Sequence, residues 1–375
     1  MKFRLLLTLS AVTLICVTTS SCYDQLNLEN ASTPLAFGMD LNEDNQLELY
    51  TSTPIFSKNI RKKSLEINAT IRTLRQSKAV QNAQSPGSTQ GRNFQVILVG
   101  KRLLQHEGWI QMLDVIFRDA RNTVTDRVVA VDGALSEIMF LNPEDQPLLP
   151  VLLRGMITTS SDNAETVSTT AQELHRQYFE KGITPSISQV KVKDHKRILV
   201  TGTTLLTRKG RYAASLGYQE SILLNTLQKK AKSGVSLTYS IPGKSKTGPF
   251  DTDTLSFTAQ KIATKIKTSY QQSRFQFDIK LKIAADLTEV MFPYNVLRDN
   301  KQLEPIIAGL LKSQIEKLLK KFQRHNIDPV GFGLYARAYQ YREYKKVQDR
   351  WAEALSDAVF HVSVEFDINA IGPVK

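Results

Sequence analysis

The chain predicts an α+β fold, with mixed, largely antiparallel sheets and packed helices arranged in two to three domains. Three stretches carry that reading. RFQFDIKLKI (274–283) alternates without a break: Phe275, Phe277, Ile279, Leu281 and Ile283 share one face, and Arg274, Gln276, Asp278, Lys280 and Lys282 the other. That is the pattern of an antiparallel strand with one wet side. KQLEPIIAGLLKSQIEKLLKKFQRHN (301–326) instead gathers Leu303, Ile306, Ile307, Leu310, Leu311, Leu318, Leu319 and Phe322 into a helical stripe, with Pro305 expected in the first turn. VFHVSVEFDI (359–368) then returns to alternation, so a helix must pack over a sheet. With 375 residues, 41% of them hydrophobic, the chain can bury more than one core.

The remaining elements follow in order. Residues 35–56 read as a hairpin, two apolar runs around the polar turn NEDN, with Leu47 and Leu49 alternating against Gln46 and Glu48. Residues 64–84 continue as a strand leading into a short helix, and SPGSTQGRN (85–93) is a turn-rich loop. FQVILVG (94–100) is apolar throughout and closed by glycine, as a strand buried on both faces is. WIQMLDVIFRDAR (109–121) sets Trp109, Met112, Leu113, Ile116 and Phe117 on one helix face, and DRVVAVD (126–132) is the next strand. LNPEDQPLLP (141–150), with its three prolines, is a candidate subdomain edge. A helix is expected over 164–180, a linker over KGITPSISQ (181–189), and a loop and candidate subdomain edge over 241–253.

The N-terminus reads as a secretory signal. Lys2 and Arg4 form a positive start, Leu5–Val17 an apolar core, and Thr18, Thr19, Ser20 and Ser21 a small-residue exit. An apolar core of about 13 residues is too short to span a bilayer. The chain has two cysteines, Cys16 and Cys22, and processing after residue 21 leaves only Cys22. An internal disulfide is then excluded, and an odd cysteine in an exported chain is an intermolecular partner, a reactive thiol or a modified residue. Its place at the start of the mature chain favours lipidation. The box is Thr19-Ser20-Ser21-Cys22, with Thr where bacterial lipoproteins usually carry Leu. Two or more acyl chains on such a cysteine, palmitate among them, anchor a protein stably.

Formal charge is +13. The basic residues are dispersed and match no nucleic-acid motif, so no nucleic acid is expected as partner; attraction to anionic lipid headgroups or acidic polymers near a membrane is one functional reading of the charge. The five histidines share no motif. HEGWI (106–110) lacks the second histidine of a zinc-protease helix, and His361 belongs to the solvated face of its strand. GKS (243–245) has Thr238 in the place of the first P-loop glycine and cannot lead into a helix around Pro249. GFG (331–333) is a lone glycine pair, and no Gly-x-Ser-x-Gly elbow occurs. No catalytic residue, metal site or cofactor is predicted.

Several blocks together resemble the Ger(x)C family, the C subunit lipoproteins of spore germination (nutrient germinant) receptors. Cys22-Tyr23-Asp24 looks like the family's mature start, with Tyr where Trp is usual. LAFGMDLNEDNQLEL resembles its first hairpin, with Gly38 and Asp40, and FQVILVGKRLLQHEGWIQMLDVIFRDAR its strand–Gly–helix block, with Gly100, Arg118 and Asp119. VTGTTLLTRKGRYAASLGYQESILLNTLQ (200–228), with Gly202 and Gly217, and Trp351 near the end are similar as well. The likeness extends over the mature chain. It implies a signal peptide at 1–21, an N-terminal region at 22–190 and a C-terminal region at 191–375, in an α+β fold of roughly three parts. It further implies a non-enzymatic subunit, lipid-anchored through Cys22 on the extracytoplasmic face of the spore inner membrane beside two integral-membrane subunits. The matched positions other than Cys22 are expected to serve turns and packing. A membrane-anchored solute-binding or envelope-assembly lipoprotein is the alternative, and it would carry a ligand pocket.

Overall fold

The computed structural model describes residues 31–370 except 57–58, 60, 91–92, 121, 142–145, 242–252 and 293–295, together with residues 3, 4, 10 and 13; of residues 296–300 it describes the backbone. Cys22, the cleavage box Thr19-Ser20-Ser21-Cys22 and the GKS stretch (243–245) lie outside the described residues.

The first part runs β1 (Ala31–Ser32), β2 (Ala36–Leu41), β3 (Leu47–Pro54), β4 (Ser64–Ile71), α1 (Ser77–Gln84), β5 (Ser88–Thr89), β6 (Val96–Val99), α2 (Trp109–Met112), α3 (Asp114–Phe117) and β7 (Arg127–Val131). It continues with α4 (Leu135–Met139), α5 (Leu149–Asp162), α6 (Ala171–Phe179), β8 (Ser186–Lys193), β9 (Arg197–Leu206) and β10 (Tyr212–Leu216). Eight of these strands make one sheet in the order β10-β9-β8-β7-β6-β2-β3-β4, and β1 pairs with β5 separately. The four central strands β2, β6, β7 and β8 are parallel to one another, and the outer ones are antiparallel. Strand β6 shows why its sequence does not alternate. Ile97 and Val99 enter a core under α2, α3 and α6, while Val96 and Leu98 enter a second core under α4 and α5. Helices cover both faces, so both faces must be apolar.

The second part holds α7 (Tyr218–Leu227), β11 (Val235–Ser240), β12 (Thr254–Gln271), β13 (Arg274–Val290), α8 (Val296–Arg324), α9 (Phe332–Tyr339), α10 (Tyr341–Val347), α11 (Trp351–Ser356) and β14 (Val359–Ala370). Its sheet has the order β11-β12-β13-β14. Strands β12 and β13 turn on Gln272 and Ser273, both left-handed (φ 49° and 59°), as a two-residue hairpin with the right-handed strand twist demands. Every inward residue named above for 274–283 is buried, on a core shared with Leu303, Ile307, Leu311, Leu318, Leu319 and Phe322 of α8. The third core thus uses one face of this sheet, and the charged face stays wet.

Several local expectations are corrected. The helix expected over 109–121 is two short helices ending at Phe117. Leu113 N donates to Ile110 O and Ile116 N to Leu113 O, a three-residue spacing that tightens the chain between them. The apolar stripe nevertheless faces the core. The helix expected at 164–180 starts only at Ala171, capped by Thr170 Oγ1 accepting from Glu173 N. Before it, Thr166 and Thr169 donate to the carbonyls of Gly202 and Ser186, and such hydroxyl bonds compete with helix. KGITPSISQ is no linker: residues 182–190 are all buried and lead into β8, with Ser188 Oγ donating to Val167 O. Pro305 lies inside α8, because the helix begins at Val296; the Lys301 carbonyl loses its helical donor there. Finally, β14 joins β13 in parallel. The break at 141–150 leads into α5, which covers the first sheet, and the sequence division at 190/191 falls within β8, whose sheet continues to Leu216.

Candidate functional site

At the carboxyl ends of β6 and β7 the first sheet opens into a crevice of about 210 Å3. The position follows from the fold, since parallel strands all end at one edge and their connecting segments splay there. Leu104, Ala130, Gln189 and Thr204 line the crevice, with the exposed Lys101 and Asp132 at its rim. Lys101 Nζ donates to Asp132 Oδ1 at 2.8 Å, and that carboxylate raises the Lys101 pKa. Behind the rim, hydroxyls converge on one amide. Thr204 Oγ1 donates to Gln189 Oε1 at 2.7 Å and Ser215 Oγ to the same oxygen at 2.6 Å, while Tyr212 OH lies 3.1 Å from Ser215 Oγ. Gln189 is 8% exposed as a residue, and among the described residues its amide nitrogen donates to none.

The positions matched by resemblance take structural places, most of them around this sheet. Asp40 Oδ1 accepts from Leu41 N at 2.9 Å and Leu103 N at 3.0 Å, tying β2 to the turn of residues 103–105; burial raises its pKa while these donors pull it down. Gly100 leaves the room Asp40 occupies, since a Cβ there would overlap the Asp40 carboxyl group. Gly38 packs under Leu135. Gly217 opens α7, its N–H donating to Glu220 Oε2 at 3.2 Å. Arg118 is exposed and pairs with Asp114, and Asp119 borders an open groove beside it. Gly202 has φ +132°, and a Cβ there would overlap the Leu216 carbonyl oxygen. Gly202→Ala is therefore expected to cost about 3 kcal/mol through strain and overlap, read as an earlier urea midpoint. An unchanged midpoint would show that β9 and β10 do not approach this closely.

Trp351 marks a joint that sequence reading passed over. The buried Asp328 accepts from Gly331 N and Phe332 N through Oδ1 (2.8 and 3.0 Å), and from Gly333 N and Trp351 Nε1 through Oδ2 (both 2.8 Å). Asp328 N donates to Thr184 Oγ1 and Thr184 N to Asp328 O, which stitches the strand entering β8 to the loop before α9. Gly333 permits this approach, because a Cβ would lie 2.6 Å from the Gly182 Cα. The glycine pair of GFG thus serves an internal carboxylate rather than a bound phosphate. Ion pairs Lys181–Asp349 and Arg337–Glu180 flank the joint. Burial raises the Asp328 pKa to about 6 against the pull of its four donors, leaving it mostly ionised at neutral pH.

His361 is exposed and lies 3.0 Å from Asp278 Oδ1, on the wet face as expected. Among the described residues no group of histidine, cysteine and carboxylate side chains could hold a metal ion.

Two sequence models match in tandem. The spore germination protein N-terminal domain matches residues 24–192, and the spore germination B3/GerAC-like C-terminal domain matches residues 201–372. The fold is similar to that of the crystal structure of the GerBC protein, with a TM-score of 0.58 and 18% identity over 88% of this chain and 96% of that one. No curated protein matches the sequence. With both domain models matched in order over nearly its whole length, the chain belongs to the Ger(x)C family of spore germination proteins.

Proposed function

We propose that the chain is a lipid-anchored, non-enzymatic subunit of a spore germination receptor complex, taking part in the response of dormant spores to nutrient germinants. The tandem match of the two germination domains over residues 24–192 and 201–372 carries this reading. Residues 1–21 act as the signal peptide, and the Cys22 sulfur takes a diacylglycerol before cleavage; the matched region starts two residues later. Regions 22–190 and 191–375 then stand on the extracytoplasmic face of the spore inner membrane, beside two integral-membrane subunits. An acyl anchor agrees with the helices: among the described residues none is long and apolar enough to cross a membrane. The role is binding, with protein surfaces rather than reacting groups doing the work.

Cys22→Ala is expected to move the chain from the membrane to the soluble fraction of sporulating cells, or to leave it unprocessed. Unchanged membrane association of a processed Cys22→Ala chain would sink the lipid anchor, as would attachment through an uncleaved wild-type N-terminus.

A further inference from the structure

The second sheet has an edge of unusual composition. Beyond Ala259 no strand among the described residues pairs with the outer side of β12, and Lys261, Lys265 and Lys267 stand along it. Lysines on a free edge keep other strands from pairing there, and that is their ordinary role. Two observations go beyond it. First, Lys265 stands directly opposite Lys280 in the ladder, a like-charge pair that costs stability. No ion pair joins Lys265 or Lys267 to a carboxylate among the described residues, whereas Lys280 is held by Glu365. Second, the turn from α9 to α10 is docked on this edge, with Gln340 Nε2 donating to Thr268 O at 3.4 Å. On either side of Gln340, Tyr339 and Tyr341 are 67% and 58% exposed. Arg342 and Lys345 follow, both exposed and without an ion-pair partner among the described residues, although Lys346 beside them is paired with Glu343.

We infer that this edge is a membrane-docking surface: Lys265, Lys267, Arg342 and Lys345 meet the phosphates of anionic phospholipid headgroups, and Tyr339 and Tyr341 sit at headgroup depth. A tyrosine gains at that boundary because its ring leaves water while its hydroxyl stays wet. The long basic side chains reach past the rings, and each cation adds to the attraction of an anionic leaflet. Protein interfaces also gather tyrosine and arginine, but they are depleted of lysine, so a headgroup layer suits this edge better than a packed protein partner. The inference rests on the Cys22 anchor only for bringing the edge to a membrane; it adds which side of the chain then faces lipid.

The test is flotation of the chain from residue 22 to 375, carrying Cys22→Ala, with vesicles of phosphatidylglycerol or of phosphatidylcholine. Without an acyl group the chain is expected to float with phosphatidylglycerol at about 20 mM salt, at least about tenfold more tightly than with phosphatidylcholine, and to be released at about 500 mM. At physiological salt this edge alone should hold only a minor fraction of the chain. Lys265→Gln with Lys267→Gln, and separately Tyr339→Ser with Tyr341→Ser, should each weaken binding about tenfold. All four positions are exposed, so the melting temperature is expected to stay at the wild-type value. Arg72→Gln with Arg75→Gln, two exposed arginines after β4, should leave binding unchanged. Tyr341→Trp should shift its emission to the blue on phosphatidylglycerol, Trp109 and Trp351 being buried. The inference is overturned by absent binding to phosphatidylglycerol, by equal binding to phosphatidylcholine, or by binding that the lysine and tyrosine variants leave unchanged. Equal weakening by the arginine pair, or an unmoved Tyr341→Trp emission, also overturns it. Because the tested chain has no acyl group, failure of this binding leaves the Cys22 anchor standing, and failure of the anchor leaves this binding standing.

Discussion

Asp328→Ala is expected to lower the unfolding free energy by about 4 kcal/mol or more, the largest single effect in this chain. Four buried N–H groups, those of Gly331, Phe332, Gly333 and the Trp351 indole, lose at once the only acceptor they have among the described residues. Each unsatisfied buried donor costs roughly 1–3 kcal/mol, with entry of water relieving part of the total. Asp328→Asn keeps one oxygen but turns an NH2 group toward two donors, so an intermediate loss is expected. The two chains should also differ in pH dependence. With the folded pKa raised from 3.8 to about 6, the native state holds this proton more tightly than the unfolded chain does. The stability from this group is fully present below the unfolded value and is lost as pH rises through the folded one, by roughly 3 kcal/mol. The gap between wild type and Asp328→Asn in urea unfolding should therefore narrow between acid and neutral pH. A gap that widens over the same range would contradict the assignment.

Phe277→Ala is expected to cost about 3–5 kcal/mol, because the ring is wholly buried at the centre of the third core. Its neighbours are the rings of Phe332 at 4.9 Å and Phe360 at 5.4 Å, on a helix and a strand that reach it from different parts of the chain. The loss has two parts, the transferred apolar surface and the cavity that α8 and α9 cannot collapse to fill. Phe277→Leu, which retains most of the volume, should cost well under half as much in the same denaturant titration. Because Phe332 also donates its N–H to Asp328, combining Phe277→Ala with Asp328→Asn should give a non-additive loss, the signature of residues sharing one packing unit.

What the sequence disclosed depended on how many faces an element buries. Strand β13 was legible because one face is wet, so Phe275 to Ile283 alternate with charges. Strand β6 was legible as a solid apolar run because helices cover both faces. The far half of β12 gave little signal: beyond Ala259 no strand among the described residues pairs with its outer side, and Lys261, Lys265 and Lys267 line that edge. Residues 181–189 read as a linker because Thr184, Ser186 and Ser188 are small and polar, the composition of a loop. Their partners are Asp328, Gln177 and Val167, reached only in three dimensions. The same distance hid the candidate crevice. Lys101, Asp132, Gln189 and Ser215 are separated by dozens of residues and are assembled by strand order rather than by any local motif. Cys22 is the opposite case, since its proposed role rests wholly on its neighbours in sequence.

The receptor assignment is tested most directly in spores from which this chain has been deleted. Such spores should form normally and grow normally once germinated, yet fail to respond to one set of nutrients, and a restored wild-type copy should recover that response. A vegetative growth defect accompanied by normal germination on every nutrient would contradict it.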